Sequence, residues 1–223
     1  MDWLAPIDLY CERTGPELWA EPLNFVSNGA FLVAAGLLLW HLAPRAPRDP
    51  AAIGFAVLIG IIGIGSGLFH LFANRWSLMA DVLPIQAFIL GYFLMAMRRF
   101  LLLGWTAAIL ATLAFFLVSP PLAGLFAPVL GGSSGYLPGL LAIAVVAALA
   151  WRRAPQPVRL LVLAGITFAL SLTLRTLDQP LCSAVPIGTH YLWHVLNAMT
   201  LSILVLAAAK AHRPAPAAPA RSD

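Results

Sequence analysis

His190 and His194 stand four residues apart in the run Gly188-Thr189-His190-Tyr191-Leu192-Trp193-His194-Val195-Leu196-Asn197. On a helix, residues at i and i+4 share one face with Cβ atoms roughly 6 Å apart, so two imidazoles so spaced can grip one metal ion. In an apolar segment such a pair is costly unless it has a partner or a task. His70 offers a third imidazole. Three neutral imidazoles with a fourth position open form the ligand pattern of a catalytic zinc site. Zinc there lowers the pKa of a water towards ~7 and polarises a carbonyl. Asp81 follows His70 across a short turn and suits a general base towards that water. Ser66 lies one helical turn before His70 and offers a hydroxyl to the water or to a developing oxyanion. The plain alternative for His70 is a hydrogen-bonded core histidine. His41, beside Trp40, reads as interfacial, and His212 belongs to the tail.

The elements that position these residues follow from hydropathy. The chain of 223 residues is 61% hydrophobic and 10% charged, where soluble domains carry about 25% charged residues. The mean hydropathy is +0.89. So few charges cannot solvate a globular surface, and apolar runs near 20 residues are the length of membrane-crossing helices. The fold expected is an all-α seven-transmembrane helix bundle, with spans at about 22–43, 51–71, 79–97, 101–118, 136–151, 157–175 and 189–210. These form one domain over 1–210, with 1–21 as a short ordered or interfacial N-terminal segment. The stretch 119–135, rich in Pro, Gly and Ser, reads as a loop, and 211–223 as a disordered Pro/Ala-rich tail. No cleavable signal peptide is expected, since acids occupy the start and no basic region opens it. The pI near 9.6 does not point to nucleic acid, because the basic residues are scattered at helix ends.

Orientation follows from those bases. Arg45, Arg48, Arg98, Arg99, Arg152, Arg153, Arg159, Lys210, Arg213 and Arg221 fall on one side of this map, and Arg13, Arg75 and Arg175 on the other. The positive-inside rule then puts the N-terminus outside and the C-terminus in the cytoplasm. Ser66, His70, Asp81, Asp178, His190 and His194 all come to the outer ends of their spans. Rare intramembrane polar groups delivered to one depth by the second, third and seventh spans, with Asp178 just past the sixth, are the mark of a site.

Two smaller features lie on the same side. Glu12 and Glu21, with nearby carbonyls and Asn24 or Thr14, can bind a hard cation such as Ca²⁺ through oxygen, or form a solvated acidic loop. Cys11 and Cys182 are the only cysteines, and both fall where oxidation is possible.

Four motifs run in order through the chain. They are Tyr10-Cys11-Glu12 followed by Glu21-Pro22-Leu23-Asn24-Phe25-Val26-Ser27-Asn28; Gly63-Ile64-Gly65-Ser66-Gly67-Leu68-Phe69-His70; Asp81-Val82-Leu83-Pro84; and Asp178 with Cys182 ahead of His190-Tyr191-Leu192-Trp193-His194. With these the chain resembles the alkaline ceramidases, within the seven-helix membrane hydrolases that include the adiponectin-receptor-like proteins. The resemblance implies that His70, His190 and His194 ligate zinc and that Ser66 and Asp81 surround the zinc-bound water. It further implies that Glu12, Glu21 and Tyr10, with Thr14 in place of the family's Asn, ligate calcium, and that Cys11 pairs with Cys182. Leu9 stands where eukaryotic members carry an acid.

The function expected is hydrolysis, within the membrane, of the N-acyl bond of ceramide or a related N-acyl lipid to a fatty acid and a long-chain amine. Ala/Arg/Pro-rich usage suggests a bacterial inner membrane with the site on the periplasmic side. Three alternatives stay open: a receptor or sensor of the same fold with structural zinc, a bis-His haem protein, and a transporter.

Overall fold

The computed structural model describes residues 2–44 and 49–212. The expected tail, from residue 213 onward, lies outside them, as do Arg45, Arg48, Arg213 and Arg221. Among the described residues the regular structure is helical: α1 (Pro22–Ser27), α2 (Gly29–Leu42), α3 (Pro50–Phe72), α4 (Arg75–Arg99), α5 (Trp105–Leu130), α6 (Leu137–Ala150), α7 (Pro155–Leu181) and α8 (His190–Ala211), with a 3₁₀ turn at Gly131–Tyr136. Proline opens α1, α3 and α7 within the first turn, where its missing N–H would have had no intrahelical partner.

Six helical stretches are long and apolar enough to cross a membrane. The first expected span is α1 and α2 together, bent at Asn28. The fourth and fifth fall in one stretch of 46 residues, Trp105–Ala150, so a count of seven does not follow from length and composition. The expected loop 119–135 is mostly helix, because α5 runs through Pro120, Pro121 and Pro128 to Leu130. Each proline removes one N–H donor, but in lipid the neighbouring backbone groups have no partner outside the helix, so the helix persists. Gly131, at φ +51°, ends it. Arg153, just beyond α6, donates to the Leu101 carbonyl just ahead of α5 at 3.5 Å. The stretch therefore starts and finishes at the same end of the bundle.

At the other end lie the histidines. Here α3 and α4 approach closely, since a Cβ on Gly65 would collide with the Ala80 carbonyl. That glycine lets the neighbours Ser66 and Asp81 face each other. The N-terminal segment lies across the turn between the two helices. Its Ile7 N–H donates to the Ala73 carbonyl at 2.8 Å, and Trp76 N–H donates to the Trp3 carbonyl at 3.2 Å. Asn74 caps α4 in a capping box with Ser77.

Among the described residues, an ion pair ties the end away from the triad. Arg99 grips the Asp49 carboxylate with two N–H groups at 2.6 and 2.7 Å and also donates to the Ala208 carbonyl at 2.9 Å. Asp49 in turn caps α3 through the Ala52 N–H at 3.2 Å. Burial alone would raise the Asp49 carboxyl, but Arg99 and the Ala52 N–H together hold it below the usual carboxylate range. A carboxyl held low in the folded state stabilises that state above its unfolded pKa, about 3.9. The stabilisation is lost as pH falls through the folded value. Asp49→Ala removes cap and pair together and is expected to destabilise the bundle by about 1–3 kcal/mol. Thermal midpoints followed from pH 7 to pH 3 should fall more steeply in the parent than in Asp49→Ala; parallel curves would refute this.

Candidate metal centre

His70 comes from the last turn of α3, and His190 and His194 from the first two turns of α8. Their relative exposures are 1%, 2% and 1%. One nitrogen from each ring lies within 4.8 Å of the others. This is the one group of three or more His, Cys, Asp or Glu among the described residues that can hold a metal ion.

The hydrogen bonds fix which nitrogens are bare. His70 Nδ1 lies 2.5 Å from Glu21 Oε2. Burial would raise the Glu21 carboxyl, but its bonds to His70, Arg13 and Asn24 hold it below the usual range. Its ion pair with Arg13 at 2.5 Å marks it as a carboxylate, an acceptor only, so His70 Nδ1 donates. Ser27 donates its hydroxyl to the Asn24 carbonyl at 2.9 Å, so its oxygen accepts from His194 Nδ1 at 2.7 Å. In neutral imidazoles each Nε2 is then a bare lone pair. The two Nε2 atoms are 3.1 Å apart, close to the roughly 3.3 Å between nitrogens on a tetrahedral zinc. Two lone pairs so placed repel unless a cation draws both. His190 adds a buried Nδ1 with no hydrogen-bond partner. The donor set fits a zinc ion, and Glu21 and Ser27 orient its ligands as outer partners do at such sites.

Around the triad, the buried Ser66 and Asp81 come from the turns of α3 and α4 that Gly65 brings together. Asp81 Oδ1 is buried and has no hydrogen-bond partner. Tyr10 stacks on His190 with centroids 3.6 Å apart and roofs the site. Asp178 sets the start of α8, where its Oδ1 accepts from the Thr189 and His190 N–H groups at 2.7 and 2.9 Å and its Oδ2 from Cys11 N–H at 3.0 Å. The two N–H groups would otherwise be orphans of a helix start. Gly188, at φ +67°, makes the turn, and a Cβ there would run into the Asp178 carboxylate. Cys11 and Cys182 are joined by a disulfide, so the roof is covalently tied to the end of α7.

The residues named for calcium are arranged otherwise. The Glu12 oxygens accept from Leu23 N–H at 2.6 Å and Asn24 N–H at 2.8 Å, capping α1. Both Glu21 oxygens are also engaged, one by Arg13 Nε at 2.5 Å and the other by His70 and Asn24. The Tyr10 carbonyl accepts from Arg13 N–H at 3.2 Å, and Thr14 is exposed. The set offers calcium no carboxylate oxygen that is not already an acceptor. The buried Arg13 guanidinium supplies the positive charge there, which the acid count alone did not reveal.

An apolar cavity of about 70 Å³ begins one turn below the triad. Ile62, Ile85 and Asn197, each about one turn from Ser66, Asp81 and His194 respectively, stand at its upper part, and Phe115, Leu161 and Leu204 also line it. Fold and site together define a helical, membrane-type protein with a buried triple-histidine group able to hold a metal ion. No protein-family model matches the chain, and no curated protein matches it.

Sequence spacing found the triad, Asp81 and Ser66. It missed Arg13, Ser27 and Arg175 as neighbours of the site. The one available signal was that Arg175 is a lone charge at the end of an apolar span.

Two variants test the arrangement. Glu21→Gln is expected to weaken zinc binding 10- to 100-fold, the usual cost of losing an outer partner; unchanged affinity by competition with a chelating dye would contradict the assignment. Gly65→Ala should push α4, which carries no imidazole, away from α3 and separate Asp81 from Ser66; zinc affinity measured by dye competition should then change only a few-fold, because the three imidazoles lie on α3 and α8.

Proposed function

We propose that the chain is a zinc-dependent amide hydrolase acting within the membrane on ceramide or a related N-acyl lipid. The observation that carries the reading is the buried, unpartnered Asp81 oxygen beside three convergent imidazoles at the head of an apolar cavity. A buried carboxyl oxygen left without a hydrogen bond is expensive and is expected where it must meet a proton from something not permanently present. A metal site that served structure alone would more often be closed by a fourth protein ligand. The four sequence motifs point the same way.

When bound, zinc supplies Lewis-acid polarisation of the amide carbonyl and an acidified water. The protein residues supply the remainder. The acyl chain lies in the apolar cavity, which brings the carbonyl carbon up to the triad. Asp81 takes a proton from the attacking water as the new C–O bond forms. Ser66 offers its hydroxyl to the carbonyl oxygen as negative charge grows there. Asp81 then passes the proton to the amine nitrogen as the C–N bond breaks, leaving a fatty acid and a long-chain amine. Tyr10 and the N-terminal segment keep bulk water from the site.

In this reading the bundle crosses the membrane seven times, the Trp105–Ala150 stretch turning back at the 3₁₀ segment. The Arg153 contact with Leu101 and the excess of bases at the end away from the histidines support that count and a cytoplasmic C-terminus.

His190→Ala is expected to lose both stoichiometric zinc and ceramide hydrolysis. Asp81→Asn should keep zinc and lose about 10²- to 10⁴-fold in turnover, the range for a positioned general base. Elemental analysis and fatty-acid release measured on the same preparations check both. A parent protein that binds zinc and turns over no N-acyl lipid would favour a receptor; full activity without zinc would refute the proposal.

A further inference from the structure

Arg175 lies on α7 one turn before Asp178, and the proposed reaction gives it no task. Its Nη1 donates to Ser133 Oγ at 2.9 Å and its Nη2 to the Tyr10 hydroxyl at 3.1 Å. Its guanidinium carbon sits 5.1 Å from the Tyr136 ring centre, 5.6 Å from that of Trp193 and 5.8 Å from that of Tyr10. No carboxylate pairs with it among the described residues, where the ion pairs are those of Arg13, His70 and Arg99. Its Nε is buried without a hydrogen-bond partner. A guanidinium carries five N–H donors in a fixed fork, and two neutral oxygens leave most of that fork open.

An unpaired cation in an apolar bundle is costly, and aromatic faces offset only part of the cost. Such a group is expected where a negative charge arrives with a ligand. The surroundings say where that charge would sit. Tyr136, under the guanidinium, also lines the apolar cavity. Tyr10, beside it, roofs His190. Arg175 as a whole is half-buried, and its guanidinium lies among the three rings.

From this geometry we infer that Arg175, in its cage of Tyr10, Tyr136 and Trp193, is a receptor for an oxyanion carried by a single-chain lipid. The fork fits two oxygens of a carboxylate or a phosphate. Two sources share that chemistry: the carboxylate of a released fatty acid, and a phosphate headgroup on a lipid that enters whole. The inference deepens the reading of a lipid-acting site, but its test reads binding, so it can fail or succeed apart from turnover.

The test uses the full chain in nanodiscs of neutral lipid at pH 8, with zinc content matched between variants. Binding of radiolabelled dodecanoate, dodecyl phosphate and dodecanol is measured against empty discs. In the parent, at least one anionic probe should bind tenfold or more tighter than dodecanol. Arg175→Gln should lose that advantage and bind dodecanol as before. Loss for dodecanoate identifies a product-like carboxylate, and loss for dodecyl phosphate alone identifies a phosphate headgroup. Arg175→Lys, which keeps the charge without the fork, should recover part of the affinity. If the parent binds all three probes alike, the inference is overturned whether or not the variants fold. It is also overturned if Arg175→Gln binds the anions as the parent does, and Arg175 is then a latch holding Tyr10 and Ser133 in place.

Discussion

The hydrogen bond between Glu21 and His70 governs the arrangement at the histidine end. With His70 donating from Nδ1, its Nε2 is left free to serve, with His190 and His194, as a ligand to a metal ion. Everything around it keeps Glu21 charged and in place. Arg13 balances its charge, Asn24 takes up its second oxygen, and Glu12 holds the start of α1 so that Glu21 meets α3. Ser27 does for His194 what Glu21 does for His70, with a neutral oxygen.

A bundle this apolar can hold such a cluster only if it is closed from water and open to lipid. The N-terminal segment supplies the closure: it is bonded to the turn after α3, joined to Cys182 by a disulfide, and pinned through Cys11 N–H to Asp178. The same Asp178 sets the first turn of α8, so the roof and two of the three imidazoles are positioned by one carboxylate. Below the triad the side chains are mostly apolar and line a cavity. The triad therefore lies at the boundary between a polar roof and an apolar interior.

Sequence spacing and hydropathy made the triad legible because each signal is local. Two histidines at i and i+4 fix a helix face, and a hydrophobic run of about 20 residues fixes the depth. Most helix ends fall within a few residues of the hydropathy limits for the same reason. Three things were not legible. The helix through Pro120 and Pro121 depends on what the lipid denies the backbone, which composition counts as loop. The Arg13–Glu21 pair fills with a side chain the charge that a list of acids assigns to a bound cation. The Arg175 cage draws its three rings from residues 10, 136 and 193, and no sequence window contains them all.

The central claim is that three imidazoles hold zinc with one position left for oxygen. X-ray absorption at the zinc edge of the metal-loaded chain measures this directly. The account predicts three imidazole nitrogens and one oxygen at about 2.0–2.1 Å, with one nitrogen lost in His194→Ala. A closed shell of four protein ligands, or a spectrum unchanged by that substitution, would contradict it.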